Sequence, residues 1–300
     1  MSEAARGRVL IVGGNGTVGR HLVAELVRRR VPARALVRSR GRATAIEGTG
    51  VPMVVGDLAR PASLGPALEG VDAVFVATSP SRRVAELHGH LVDAARPAGV
   101  RHVVRVSALG AAADAPSELL RGHGEAEARL AESGLAFTHL RPAWFMQNLL
   151  GDAPWIAAHG ELAVPSGRGT LAMVDARDVA AVAAVALAEP GHEGSTYRLT
   201  GPEALDFGRV AEVLSGVLGR PVRHLDVPAE EARRRLLAGG VPDWLADDVL
   251  GLFRHAPVEP PAEVTTDVEA VTGRPATPLA AFARDYADRL GGDESATGSE

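Results

Sequence analysis

The chain has no cysteine and no lysine, and all 32 of its basic residues are arginine. Without a thiol, disulfides, thiolate metal sites and cysteine nucleophiles are excluded. Aromatics make up 4% of the 300 residues, and the two tyrosines, Tyr197 and Tyr286, both fall in the second half. A tyrosine–lysine proton relay therefore cannot be assembled. No run reaches the roughly 18 apolar residues that span a bilayer. Val9–Val12 passes straight into glycines rather than extending as a signal-peptide core. Neither a G-x-S-x-G nucleophile elbow nor an H-E-x-x-H zinc pattern occurs. His88 and His90, the closest-spaced histidines, would sit on different sides of a helix, so no metal is expected. A net charge of −5 argues against a polyanion-binding surface. The expectation is a cytoplasmic protein with a small-molecule substrate and no nucleic-acid or membrane partner, a homodimer being left open.

What the chain does have is Val9-Leu10-Ile11-Val12 followed by Gly13-Gly14-Asn15-Gly16-Thr17-Val18-Gly19, then an amphipathic stretch from His21 to Arg30. An apolar strand feeds a glycine turn, and the turn opens a helix whose free N–H groups can face a pyrophosphate. Gly13, Asn15, Gly16, Thr17, Val18 and Gly19 form the expected cradle.

Short apolar runs then alternate with helical patterns as far as Arg141. Strands are predicted at 8–12, 33–37, 52–55, 73–77, 102–107 and 137–141. Helices are predicted near 43–47 and over 20–30, 61–69, 84–95 and 124–133. This is the rhythm of an α/β fold, a Rossmann-type doubly wound parallel sheet. After Pro142 the rhythm changes, which predicts a smaller mixed α/β C-terminal substrate lobe. The expected division is residues 1–148, rejoined by part of 171–195, then an interleaved lobe over 149–290 and a disordered tail over 291–300.

The pieces GGNGTVG, ALVRS, VVGDL, SGLAFTHLRPAWFMQNLL, VDARDVAAVAA and YRLTGPEALDF resemble the NmrA-like atypical short-chain dehydrogenase/reductases. The narrower likeness is to the branch of NAD(P)H:quinone oxidoreductase-type proteins, over roughly residues 8–290. The resemblance implies a nicotinamide cofactor in a cleft between a Rossmann domain and a small substrate lobe. The broader short-chain family uses Tyr-x-x-x-Lys, which this chain cannot supply. His123 and Glu127 stand near the corresponding positions.

Each candidate residue has a plainer reading beside the functional one. The second strand ends in Val37-Arg38-Ser39-Arg40 with no acidic residue, so Arg38 and Ser39 are expected to hold a 2′-phosphate and favour NADPH over NADH. Arg38 is otherwise a surface arginine. Asp57 and Leu58 are expected at the adenine edge, or Asp57 caps the next helix. Ala77, Thr78 and Ser79 border the nicotinamide ribose or form an ordinary turn, and Pro142 joins the cofactor set. His123 is the candidate proton donor, its pKa raised by Glu127, or it merely starts a helix. Ser107 binds a substrate oxygen or ends its strand. Trp144, Phe145, Gln147 and Asn148 are the candidate substrate site, or an apolar hinge.

So little acid–base machinery suits hydride transfer to a quinone or conjugated acceptor, whose delocalised product anion can wait for water. The expected function is an NADPH-dependent reductase of such molecules. A non-catalytic NADP(H)-binding redox sensor is the alternative.

Overall fold

A computed structural model describes residues 8–291. Its first run is β1 (Val9–Val12), α1 (Gly19–Arg28), β2 (Ala33–Val37), β3 (Met53–Val55), α2 (Gly65–Leu68), β4 (Ala73–Val76), α3 (Val84–Ala95), β5 (His102–Val106), α4 (Glu118–Glu132) and β6 (Ala136–Pro142). Then come α5 (Ala153–His159), β7 (Glu161–Ala163), α6 (Ala176–Ala188), β8 (Ser195–Leu199), α7 (Phe207–Leu218) and β9 (Arg223–Leu225). The chain closes with α8 (Ala229–Ala238), α9 (Asp243–Arg254), α10 (Asp267–Thr272), α11 (Leu279–Asp285) and α12 (Ala287–Gly291).

Two compact units share these elements. One runs through Pro142 and adds Ala176–Leu199 and Asp267–Arg274; the other takes Ala143–Asp175, Thr200–Thr266 and the chain from Pro275. The first break thus falls at Pro142 rather than 148, and α10 belongs with the first unit. Gly291 ends α12, while 292–300, the rest of the expected tail, lie outside the described residues.

The first unit holds a seven-stranded sheet in the order β3-β2-β1-β4-β5-β6-β8, parallel throughout. β1 is buried along its whole length, as an inner strand covered on both faces must be. The strand order reverses between β1 and β4, so the glycine turn opens at the switch point, where doubly wound folds bind ligands. One face of the sheet packs Leu10, Val12, Val74, Val76 and Val103 beneath Leu91, Val92 and Leu130 of α3 and α4. α6 is alanine-rich and almost wholly buried, and its small side chains let it lie close against α1.

Several elements differ from the sequence pattern. α4 begins at Glu118, where Ser117 accepts a hydrogen bond from the Leu120 N–H at 3.2 Å. Gly122 and Gly124 hid this start. They are packing glycines, and a Cβ on Gly124 would stand 2.3 Å from the Ala112 carbonyl carbon. His123 therefore lies in the second turn of a helix and does not start one. The helix expected near 43–47 is a 3-10 turn at Arg40–Arg42 followed by irregular turns. That over 61–69 divides into a 3-10 turn, Pro61–Ser63, and the short α2.

The second unit is built around Met146, Leu149, Ile156, Leu162, Phe207, Phe253 and Phe282. β7 pairs in parallel with β9, which carries too few apolar residues to read as a strand. Among the described residues no helix is long and apolar enough to cross a membrane.

Candidate functional site

The glycine turn shows which glycines the backbone needs and which it leaves open. Gly13 has φ +87°, and a Cβ there would stand 1.9 Å from the Ala77 carbonyl oxygen in the turn after β4. A Cβ on Gly19 would stand 2.0 Å from the Gly13 oxygen. Gly13 lets the turns after β1 and β4 close against each other, and Gly19 lets the start of α1 close against the glycine turn. Gly16 is different: it is exposed, and a Cβ would meet only the Gly13 oxygen, at 3.2 Å. Its bare face is free to receive a ligand. Val18 precedes α1 without a side-chain cap, and the first turn has no acidic residue. Among the described residues, then, neither a capping side chain from Val18 nor a first-turn carboxylate competes with an anion for this helix N-terminus.

Asn15 does more than the pattern suggested. Its side-chain oxygen accepts from the Ala45 N–H at 2.8 Å, tying the glycine turn to the segment after β2. Arg38 and Ser39, at the head of that segment, are exposed. Among the described residues no hydrogen bond or ion pair holds the Arg38 guanidinium. Arg40, by contrast, donates to the Met53 carbonyl at 3.3 Å.

Asp57 accepts from the Ala59 N–H at 3.0 Å and so closes its own turn; it does not cap a helix. Leu58 is buried, and its carbonyl lies 2.8 Å from His90 Nδ1. Ala77 donates to the Val12 carbonyl at 3.0 Å, which continues the β1–β4 pairing into the turn. Ser79 is exposed, whereas Thr78 is half-buried with its hydroxyl 3.1 Å from His88 Nε2.

The sequence did not reveal the role of a buried arginine. Arg105, 1% exposed, lies within the apolar strand β5 beneath α3 and α4. Its Nε donates to His88 Nδ1 and its Nη2 to His123 Nδ1, both at 2.9 Å. The available signal was an arginine inside a valine-rich inner strand, since a buried charge needs partners from other elements. Nearby, Arg141 grips Glu127 with two hydrogen bonds, 3.0 and 2.5 Å long.

Burial, and then the Arg105 charge, push His123 down to about 3, against the pull of Glu127. Glu127, which Arg141 also engages, does pull the histidine pKa upward as expected from the sequence, but burial and Arg105 outweigh it. His123 is a neutral imidazole at ordinary pH. Its neighbour His139 is pushed down to about 4, again chiefly by burial. Ser107 is 4% exposed and its N–H donates to the Leu140 carbonyl at 2.7 Å, which suits the end of a strand. Pro142 closes β6 and accepts from the Leu109 N–H at 2.8 Å.

The second unit holds the remaining candidates. Trp144 packs edge-on against Phe207 and Phe253, with centroids 6.0 and 6.2 Å apart, inside that unit's core. Gln147 is buried and donates to Asp175 at 2.7 Å, so its amide is committed to the fold. Phe145 is half-buried and bridges Val174 through its backbone, while Asn148 is exposed on the 3-10 turn Met146–Gly151. Of the four, Trp144 and Phe145 are half-buried alike, Gln147 is buried and Asn148 is exposed.

Two measurements follow from the buried charges. Arg141→Met would strand the Glu127 carboxylate and is expected to cost about 3 kcal/mol of stability. Denaturant unfolding should then find part of that loss restored in Arg141→Met combined with Glu127→Gln. The second concerns acid. The folded state resists protonating His123 and His139, whereas the unfolded chain accepts those protons below the ordinary histidine range. Stability is therefore intact at neutral pH and falls on acidification, by about 2 kcal/mol per histidine at pH 5. Asp152, raised to about 6 chiefly by burial, acts in the opposite sense and offsets about 1 kcal/mol. The unfolding midpoint should drop between pH 7 and pH 5, and His139→Phe should shallow that slope. A flat profile would contradict it.

Residues 13–190 match the NAD(P)H-binding family. An NAD(P)H azoreductase of Xenophilus azovorans is 42% identical over 94% of this chain and 99% of its own. An NADPH-dependent quinone oxidoreductase of Escherichia coli, solved with NADPH, superposes with a TM-score of 0.81 at 29% identity, covering 92% of this chain and 99% of that one. A triphenylmethane reductase of Citrobacter sp., solved with NADP(H), gives 0.80 at 25% identity over 93% and 99% of the two chains.

Proposed function

The chain belongs to the NAD(P)H-binding family and is an oxidoreductase, and on that premise we propose that it reduces quinone-like or otherwise conjugated acceptors with NADPH. The observation that carries the cofactor reading is the contrast among its glycines: Gly13 and Gly19 are filled by backbone, and Gly16 is left open. An open glycine beside an uncapped helix N-terminus fits a pyrophosphate. Arg38 supports the preference for NADPH, since a free guanidinium at the end of β2 can pair with a 2′-phosphate in forked geometry.

When bound, NADPH supplies a hydride, that is, a proton with two electrons. The chain's own residues limit which acceptors suit it. Reducing an isolated ketone creates an alkoxide that needs an acid beside it. Here the candidate donor His123 is held neutral, and no tyrosine–lysine pair exists. A quinone takes the hydride to give a delocalised phenolate, and an azo bond gives a nitrogen anion conjugated to its rings. Each can then collect its proton from water, with the His123 imidazole serving at most as a neutral hydrogen-bond donor. Phe145, half-buried and outside the Trp144–Phe207–Phe253 ring cluster, is the aromatic side chain we assign to a flat ring, and the exposed Asn148 the one we assign to its polar edge. The net charge of −5 suits a small-molecule substrate rather than a nucleic acid.

The test is loss of NADPH absorbance across quinones, azo dyes, triphenylmethane dyes, enones and simple ketones. Turnover of the conjugated acceptors and none of the simple ketones is expected. Tight NADPH binding without turnover of any acceptor would favour a redox sensor.

A further inference from the structure

Arg105 is costly to bury, and one of its nitrogens, Nη1, has no hydrogen-bond partner among the described residues. A hydrophobic side chain of similar size would usually serve stability as well or better. What the guanidinium alone provides is a set of donors that never become acceptors. Two of those donors end on histidines from different helices, His88 on α3 and His123 on α4. Each histidine meets Arg105 through Nδ1, which must therefore carry the lone pair. A hydrogen on either Nδ1 would set two N–H groups face to face at 2.9 Å.

We propose that Arg105 is a positioning residue that fixes the proton of both His88 and His123 on Nε2, so that His88 donates to Thr78 and Thr78 turns its own hydroxyl hydrogen outward to an oxygen of the bound cofactor. The outward half rests on the reading above that Thr78 borders the cofactor. The polarity runs one way along the chain of contacts. The guanidinium donates to His88 Nδ1, His88 Nε2–H donates across 3.1 Å to the Thr78 oxygen, and the Thr78 hydrogen is released for a ligand. With the opposite tautomer, Thr78 would spend its hydrogen on His88 and offer only lone pairs. Burial and the neighbouring positive charge push both rings well below the ordinary histidine range, so each stays neutral and has a single ring proton to place. The same constraint turns His123 into a neutral Nε2–H donor.

Nitrogen-15 NMR of the histidine rings in the cofactor-free protein reads the tautomers directly, with signals assigned by their loss in His88→Gln and His123→Gln. Both rings are expected as Nε2–H at neutral pH, and a proton on Nδ1 of either would overturn the proposal. In Arg105→Met, which leaves no buried charge to satisfy, His88 is expected to become a mixture of tautomers; an unchanged spectrum would assign the effect elsewhere. Should that variant not fold, a pair at position 88 decides the matter with Arg105 in place. His88→Gln keeps an N–H where Nε2 stood, whereas His88→Asn places its amide near Nδ1 and leaves Thr78 without a donor. Calorimetry is expected to show NADPH affinity within about threefold of the parent for Gln, and about tenfold weaker for Asn and for Thr78→Val, the worth of roughly one hydrogen bond. Equal losses in Gln and Asn would contradict the donor role. The tautomers are read without NADPH or an acceptor, so they stand or fall apart from the proposed reaction. Failure of the parent to bind NADPH would instead remove the cofactor reading and, with it, the outward half of this proposal.

Discussion

Gly16→Ala and Gly19→Ala are expected to fail in different ways. In Gly19→Ala the new methyl would stand 2.0 Å from the Gly13 carbonyl oxygen, and the nearest atoms are all backbone. The backbone of the glycine turn or the start of α1 would have to shift to make room, so stability should drop by about 3 kcal/mol or more. NADPH binding should be lost with it. In Gly16→Ala the methyl has only one neighbour, at 3.2 Å, and the cofactor-free protein should melt within a few degrees of the parent, as for a loss below about 1 kcal/mol. The methyl would nevertheless stand on the face proposed for the pyrophosphate. A dissociation constant for NADPH raised by about 100-fold, or roughly 3 kcal/mol, is expected by calorimetry. Unaltered binding by Gly16→Ala would mean that the open face serves some other purpose.

The second large effect is a reversal of cofactor preference. Arg38→Asp replaces an exposed, unpaired guanidinium with the acidic residue that binds a ribose 2′-hydroxyl and repels a 2′-phosphate. Losing a charge-assisted pair is worth about 1.5–3 kcal/mol, so NADPH should bind about 100-fold more weakly. NADH should hold its affinity or gain. Because Arg38 is exposed and no hydrogen bond or ion pair among the described residues holds it, the melting temperature should not move. A ratio of NADPH to NADH affinity that stays constant in this variant would place the discrimination elsewhere.

Much of the first unit was legible because local chemistry and global fold agree there. Val9–Val12, the glycines after it and the alternation of valine-rich runs with amphipathic stretches all point to one architecture. Illegible were the features that depend on which elements meet. Gly122 and Gly124 look like helix breakers, yet they let α4 approach Val84 and Ala112, which moved the start of the helix and the setting of His123. Glu127 was expected to raise the His123 pKa from one turn away; its pull is there, but burial and Arg105 outweigh it, and Arg141, from β6, grips the carboxylate as well. Trp144 and Gln147 have the chemistry of a substrate site, and the second unit spends one in its aromatic core and the other on Asp175. Arg105 was readable only as an anomaly, because its partners come from α3 and α4. Sequence patterns report the period of a strand or helix; they do not report a partner many residues distant.

A crystal structure with NADPH tests the central claim most directly. The account predicts the pyrophosphate against Gly16 and the N-terminus of α1, with the 2′-phosphate within hydrogen-bond distance of Arg38. A cofactor held elsewhere, or a glycine turn filled by the protein's own side chains, would contradict it.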